Sequence, residues 1–205
     1  MMENSSIKIE YDNLYVTSYN AEEDMIRLPI SNIPQMEEAD GEHIHGYLSI
    51  AIGGEKISDI GYFGEDDVCF NDWIGHLVGI IECFSTSPQS RFLFYDGEQG
   101  GSAFEFCRND DSVYISHVDT EIYYSILGSE FFDSGKAEPE KTAHYSCSYK
   151  DFDSSARTFI EQIKNDIYRE LGDFGSIWWE LNTYADGRCS NIQNENINRK
   201  GFVRN

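Results

Sequence analysis

Three short runs of alternating apolar and polar residues lie between Phe92 and His117, and the gaps between them are too short for a crossover. Phe92 to Tyr95 is the first run. Ala103 to Arg108 is the second, with Phe104 and Phe106 on one face. Val113, Ile115 and His117 share a face of the third. Asp96-Gly97-Glu98-Gln99-Gly100-Gly101 and Asn109-Asp110-Asp111 supply turn chemistry between them. A parallel pair needs a connection of about a dozen residues or more, so these runs are expected to pair antiparallel. Five further runs read the same way. Ile7, Ile9 and Tyr11 alternate with Lys8 and Glu10, and Leu14 to Thr17 is expected to return as a hairpin partner after a turn at Asp12-Asn13. Leu48, Ile50 and Ile52 lead into Gly53-Gly54, a pair suited to the positive φ values of a tight turn, with Lys56 to Tyr62 as the returning strand. Tyr145, Cys147 and Tyr149 form the last alternating run.

Two segments carry helical spacing instead. Phe70, Trp73, Ile74, Leu77, Val78, Ile81 and Phe84 make one stripe, stopped before Pro88. Gly75 and Gly79 on this helix suggest a face pressed close to a neighbour. Phe152, Ala156, Phe159, Ile160, Ile163, Ile167 and Leu171 hold the same period for five turns. Asp151 is the expected N-cap, Arg169 sits in the last turn, and Gly172 is the expected stop. Trp178, Trp179 and Leu181 suggest a further apolar segment. The order strands, helix, strands, long helix predicts an α+β fold: a mostly antiparallel sheet with two main amphipathic helices packed against it. No Pro-rich or Gly/Ser-rich linker divides the chain. The expectation is one α+β domain over residues 1–184 and a polar C-terminal tail over 185–205, weakly ordered or docked as a loop.

Charge excludes several functions. The 37 acids and 15 bases leave a formal net charge of −22. This argues against a phosphate-backbone binder, which needs a basic footprint, and against an anionic membrane surface. Residues 1–75 hold 16 acids and 3 bases, whereas residues 154–205 hold seven of each. Apolar residues make up 40% and aromatics 14%, too rich in core formers for a disordered acidic tail. No apolar stretch reaches the length of a membrane span, and Met1 to Glu10 shows no basic-then-apolar leader, so no signal peptide is expected. Cys69, Cys83, Cys107, Cys147 and Cys189 are odd in number and widely spaced, with no CxxC pair. They are read as reduced, mostly buried small hydrophobes in the cytoplasm, against a disulfide framework or structural zinc.

Residues that could carry chemistry do not assemble into a known motif. His43-x-His45, with Asp40 and Glu42 near, could supply half a metal site; the plainer reading is a loop. Cys107 and His117 lie on strands expected to pair, so a Cys–His nucleophile is conceivable, with sheet packing the simpler reading. His76 is read as a partly buried or surface histidine. No GxGxxG before a helix, GKS/GKT, GxSxG or HExxH occurs. What stands out is carboxylates beside aromatics. Glu65, Asp66 and Asp67 lead into the helix bearing Asp72 and Trp73, and Tyr95, Asp96 and Glu98 form a second cluster. An aromatic anchor flanked by steering charges suits a protein interface, so these eight residues are the expected partner-binding positions.

The hairpin Tyr47-Leu-Ser-Ile-Ala-Ile-Gly-Gly-Glu, the acidic approach to a helix over Gly64 to Phe84, Arg91-Phe-Leu-Phe-Tyr-Asp-Gly-Glu, the Phe104–Val118 hairpin and Tyr149-Lys150-Asp151-Phe152 entering a helix together resemble bacterial immunity proteins of polymorphic toxin and contact-dependent inhibition systems. The resemblance spans about residues 45–172 and lies in layout, without shared catalytic residues. It implies a cytoplasmic, non-enzymatic inhibitor, needing no cofactor, that binds a cognate toxin domain such as a cationic nuclease. Two alternatives remain open: a metal-assisted hydrolase using His43 and His45, and a structural or regulatory protein whose acidity serves solubility.

Overall fold

The computed structural model describes residues 6–35, 44–57, 60, 67–95, 103–118, 145–171 and 188–191. Among these residues, ten strands, two α-helices and one 3-10 turn run in the order β1 (Ile7–Tyr19), β2 (Met25–Pro29), a 3-10 turn (Ile30–Gln35), β3 (Ile44–Ile52), β4 (Glu55–Lys56), β5 (Asp67–Cys69), α1 (Phe70–Thr86), β6 (Gln89–Tyr95), β7 (Ala103–Asn109), β8 (Ser112–Val118), β9 (Tyr145–Ser148), α2 (Tyr149–Leu171) and β10 (Arg188–Asn191). The architecture is α+β, as expected, but the strands form two antiparallel sheets and not one. The first has the order β2-β1-β3-β4, with β5 also pairing β3; the second has the order β10-β6-β7-β8-β9. The β6–β7–β8 meander pairs in the register Phe92↔Phe106↔Ile115, which places the apolar alternates on one face.

Asp12-Asn13 does not turn the chain into a hairpin. Tyr11 and Asp12 pair with Leu48 and Tyr47, and Tyr15 and Val16 go on to pair His45 and Ile44 of the same strand, so one extra residue is accommodated between Asp12 and Tyr15. Asn13 takes a φ of 53° and its N–H donates to Asp12 Oδ1 at 2.8 Å. The chemistry that suits a turn also suits a bulge, and continued pairing with β3 selects the bulge. Gly46 sits beneath it: a Cβ there would lie 2.8 Å from the Asp12 carbonyl oxygen and 2.8 Å from the Phe70 ring. Gly53 and Gly54 take φ values of 62° and 85°, as their turn requires. Among the described residues the returning ladder covers Glu55 and Lys56; of the expected strand to Tyr62, residues 58, 59, 61 and 62 lie outside them.

One apolar core joins both sheets and both helices. Helix α1 carries the expected stripe, but burial extends around it to Gly75, His76, Ile80 and Cys83, because it packs against strands of both sheets. His76 is therefore fully inside and not at the surface: it is 4% exposed, stands edge-on to Phe92, and burial pushes its pKa down to about 3. Trp73 packs edge-on against Phe104, and Phe84 and Phe106 meet Phe152. Helix α2 buries Phe152, Ala156, Phe159, Ile163, Ile167 and Leu171, the expected face. Its N-cap is Ser148, one turn earlier than expected. Ser148 Oγ accepts the Asp151 N–H at 3.0 Å and donates to Asp151 Oδ2 at 2.7 Å, so Asp151, at the third helical position, holds its own cap in place.

Two readings of the cysteines and the tail change. Cys69 and Cys147 are buried and Cys107 is half-buried, none of the three in a disulfide, whereas Cys83 is disulfide-bonded. Within the stretch read as a polar tail, Arg188–Asn191 is a strand paired with Ser90 to Leu93 of β6. The expected stop at Gly172 and the segment around Trp178 lie outside the described residues.

Candidate functional site

Of the eight expected partner-binding residues, the described ones do not form one exposed surface. Glu65, Asp66, Asp96 and Glu98 lie outside the described residues. Tyr95 ends β6, opposite Ala103. Asp72 is half-buried in the first turn of α1, where a carboxylate favours the helix dipole. Trp73 has no exposed surface, so it is a core residue and not a surface anchor. Asp67 is 2% exposed and already engaged within the fold, so it is not a free steering charge.

Asp67 is the centre of a polar node on the outer face of the first sheet. The register Tyr15↔His45, Thr17↔Arg27 and Tyr47↔Asp67 gathers these residues from β1, β2, β3 and β5. Tyr15 donates its hydroxyl to Asp67 Oδ2 at 2.6 Å, and Arg27 Nη2 reaches the same oxygen at 2.8 Å. Arg27 Nη1 donates to the Tyr47 hydroxyl at 3.3 Å, and its guanidinium carbon lies 4.9 Å from the Tyr15 ring centroid. His45 stacks on Tyr15 at 5.7 Å. Burial first, then the hydrogen bond and charge of Asp67, hold the Tyr15 hydroxyl well above the usual phenol range, so it stays a donor. Arg27 balances the buried carboxylate, and the node fastens β2 and β5 across the sheet. His45 thus has a packing role, while His43 lies outside the described residues. Among the described residues, no three His, Cys, Asp or Glu side chains group to hold a metal ion.

A second buried ion pair lies on the other sheet. Arg91 Nε meets Glu105 Oε1 at 2.6 Å, and the Cys107 thiol donates to the same oxygen at 2.9 Å. Cys107 pairs with Tyr114, and His117 with Phe104. The two are not cross-strand neighbours, so the Cys–His pairing considered from sequence does not assemble.

The exposed features lie elsewhere. Beside the Asp67 node, an open groove of about 490 Å³ is lined by Glu10, Asp12, Tyr47, Ser49 and Lys56, among others. At the far end of β1, Tyr19 and Met25 face each other across the β1–β2 pair, and they are 69% and 51% exposed. The connection between them carries exposed Glu22, Glu23 and Asp24. Asn20 shapes it, its side-chain oxygen accepting the N–H groups of Glu22 and Asp24, each at 2.9 Å. Sequence reading missed this hairpin because Met25–Pro29 is short and ends in proline. The signal that could have found it is Asn20-Ala-Glu-Glu-Asp24 as a turn between two β-prone runs.

No protein-family model matches this chain, and no match to it is found among curated proteins or solved structures. Among the described residues, no helix is long and apolar enough to cross a membrane.

Proposed function

We propose that this chain is an acidic binding protein that docks on a basic protein partner, in the manner of an immunity protein occluding a cognate toxin domain. The observation that carries this reading is the β1–β2 tip, where an exposed Tyr–Met pair stands within a set of three exposed carboxylates. Apolar side chains left in water at the end of a hairpin gain by being covered. The carboxylates around them select a cationic cover and raise its rate of encounter. The long-range field acts in the same direction, since 16 of the 37 acids fall in the first 75 residues. Charge, tip and layout together favour binding over catalysis. The cytoplasmic expectation rested partly on reduced cysteines, and the bonded Cys83 counts against that ground.

Co-expression with candidate basic toxin domains encoded next to the gene tests the reading. A neutralising pair should restore growth and co-purify, with affinity falling steeply between low and high salt. Rescue that leaves no complex, or a complex indifferent to salt, would reject electrostatic docking. Failure of every basic candidate would favour the solubility reading.

A further inference from the structure

The exposed tip and the open groove lie on one face of the first sheet, and the bulge in β1 is the reason. Before the bulge, Lys8, Glu10 and Asp12 alternate with Ile9, a core residue, so they point away from the core. Both helices pack on the opposite side, where Phe70 and Phe159 meet Tyr11. A strict period of two from Asp12 would carry Tyr19 to that inner side. The extra residue between Asp12 and Tyr15 reverses the phase, so Tyr15, Thr17 and Tyr19 point outward and Val16 enters the core. Strand pairing widens the outer face: Glu10 stands opposite Ser49, Asp12 opposite Tyr47, and Tyr19 opposite Met25. From Tyr19 to Glu10 the strip runs roughly 30 Å at a strand's rise per residue.

We infer that this whole outer face is the docking surface, and that it takes a basic segment of the partner protein laid along β1. An apolar residue of that segment covers Tyr19 and Met25, and an arginine or lysine side chain enters the groove between Glu10, Asp12 and Ser49. The inference rests on the docking reading above and adds where the partner lies and what it carries at each end. Charge selects the occupant. Glu10, Asp12, Glu22, Glu23 and Asp24 are exposed carboxylates along the strip and its tip. Arg27 is committed to the buried Asp67 at 2.8 Å. Lys8 reaches Glu10 at 2.7 Å, but both side chains are more than half exposed. Such a pair is worth about 0–1 kcal/mol, so a partner's cation can replace Lys8 there. A second copy of this chain would bring the same acids to the face, and like charge opposes that pairing. The apolar pair at one end then supplies the anchor, and the carboxylates at the other fix the direction of the segment.

The test titrates the isotope-labelled full chain at low salt with a synthetic peptide of about ten residues, long enough to span the strip. The peptide carries leucines toward one end and arginines toward the other, and a control peptide has citrulline in place of arginine. Backbone amide signals of Thr17, Tyr19, Met25, Tyr47, Ser49 and Glu10 should shift together and saturate with the arginine peptide, and not with the control. The E10Q/D12N double variant should keep the amide spectrum of the fold and bind the peptide about fivefold or more weaker. Shifts confined to residues 22–25 would overturn the extended face and leave the tip as the docking site. Shifts equally strong at Asp153 and Glu161 on α2, or no saturable shift, would also overturn the inference. The co-expression test of the docking reading uses a folded basic domain and no peptide, so the two can fail separately.

Discussion

Gly46 and His76 show how single positions are decided by their surroundings. The site beneath the β1 bulge has no room for a methyl group, since a Cβ would meet a backbone carbonyl and a buried ring at 2.8 Å each. Gly46→Ala is expected to destabilise the fold by about 1–3 kcal/mol, the usual cost of overpacking, read as a lower denaturant midpoint with unchanged m. His76 makes stability depend on pH. Its folded pKa of about 3 lies below the ordinary 6.5, so the unfolded chain takes up a proton first as pH falls. Its contribution is therefore complete above pH 6.5 and declines from there toward pH 3, by up to ~1.4 kcal/mol per pH unit. Denaturation at a series of pH values should show this slope, and His76→Phe should flatten it between pH 6 and 4. An unchanged slope in that variant would place the pH dependence elsewhere.

At the scale of elements, helix ends depend on partners that periodicity cannot reveal. α1 has no basic residue in its last turn. Arg108 supplies the cation from β7: its guanidinium donates to the Phe84 carbonyl and lies over the Tyr149 ring, its carbon 3.6 Å from the centroid. One side chain thereby joins the end of α1, the β7–β8 turn through the Asp110 carbonyl, and the start of α2. Arg108→Ala is expected to cost about 1–2 kcal/mol, and Arg108→Lys an intermediate amount, because an ammonium keeps the charge without the planar stack. Thermal unfolding of the three proteins checks the order. Ser148→Ala should cost about 1 kcal/mol through loss of the α2 cap, with little change in the β8–β9 pairing as judged by amide exchange. A further tie between elements is the Tyr11 hydroxyl, which donates to Asp166 on α2, where Arg169 Nη1 also binds at 2.6 Å.

For the whole molecule, charge and covalent connectivity carry the expectations. Reversing Glu22, Glu23 and Asp24 to lysine changes the tip by six charges without touching the core. It should slow association with a basic partner by about tenfold or more at low salt, while leaving thermal stability nearly unchanged. Stopped-flow binding at two ionic strengths distinguishes this from a general loss of fold. Reducing the Cys83 disulfide should lower stability by about 2–4 kcal/mol. Unfolding curves with and without reductant measure it.

The α+β class, the antiparallel meander from Phe92 to His117, the Gly53-Gly54 turn and the inward faces of both helices were all legible in the sequence, because they rest on local period and turn chemistry. The candidate site was much less so. Trp73 and Asp67 looked like interface residues since neighbouring carboxylates in the chain suggest exposure; the fold instead packs Trp73 on Phe104 and closes Tyr15 and Arg27 around Asp67. Sequence alone determined the charge, the alternation and the positions able to turn. Tertiary structure decided that Asp12-Asn13 is a bulge, that His76 is buried, that Tyr19 and Met25 are the exposed pair, and that Cys83 is bonded. Each of those outcomes depends on contacts between residues far apart in the chain, whose energies no local window contains.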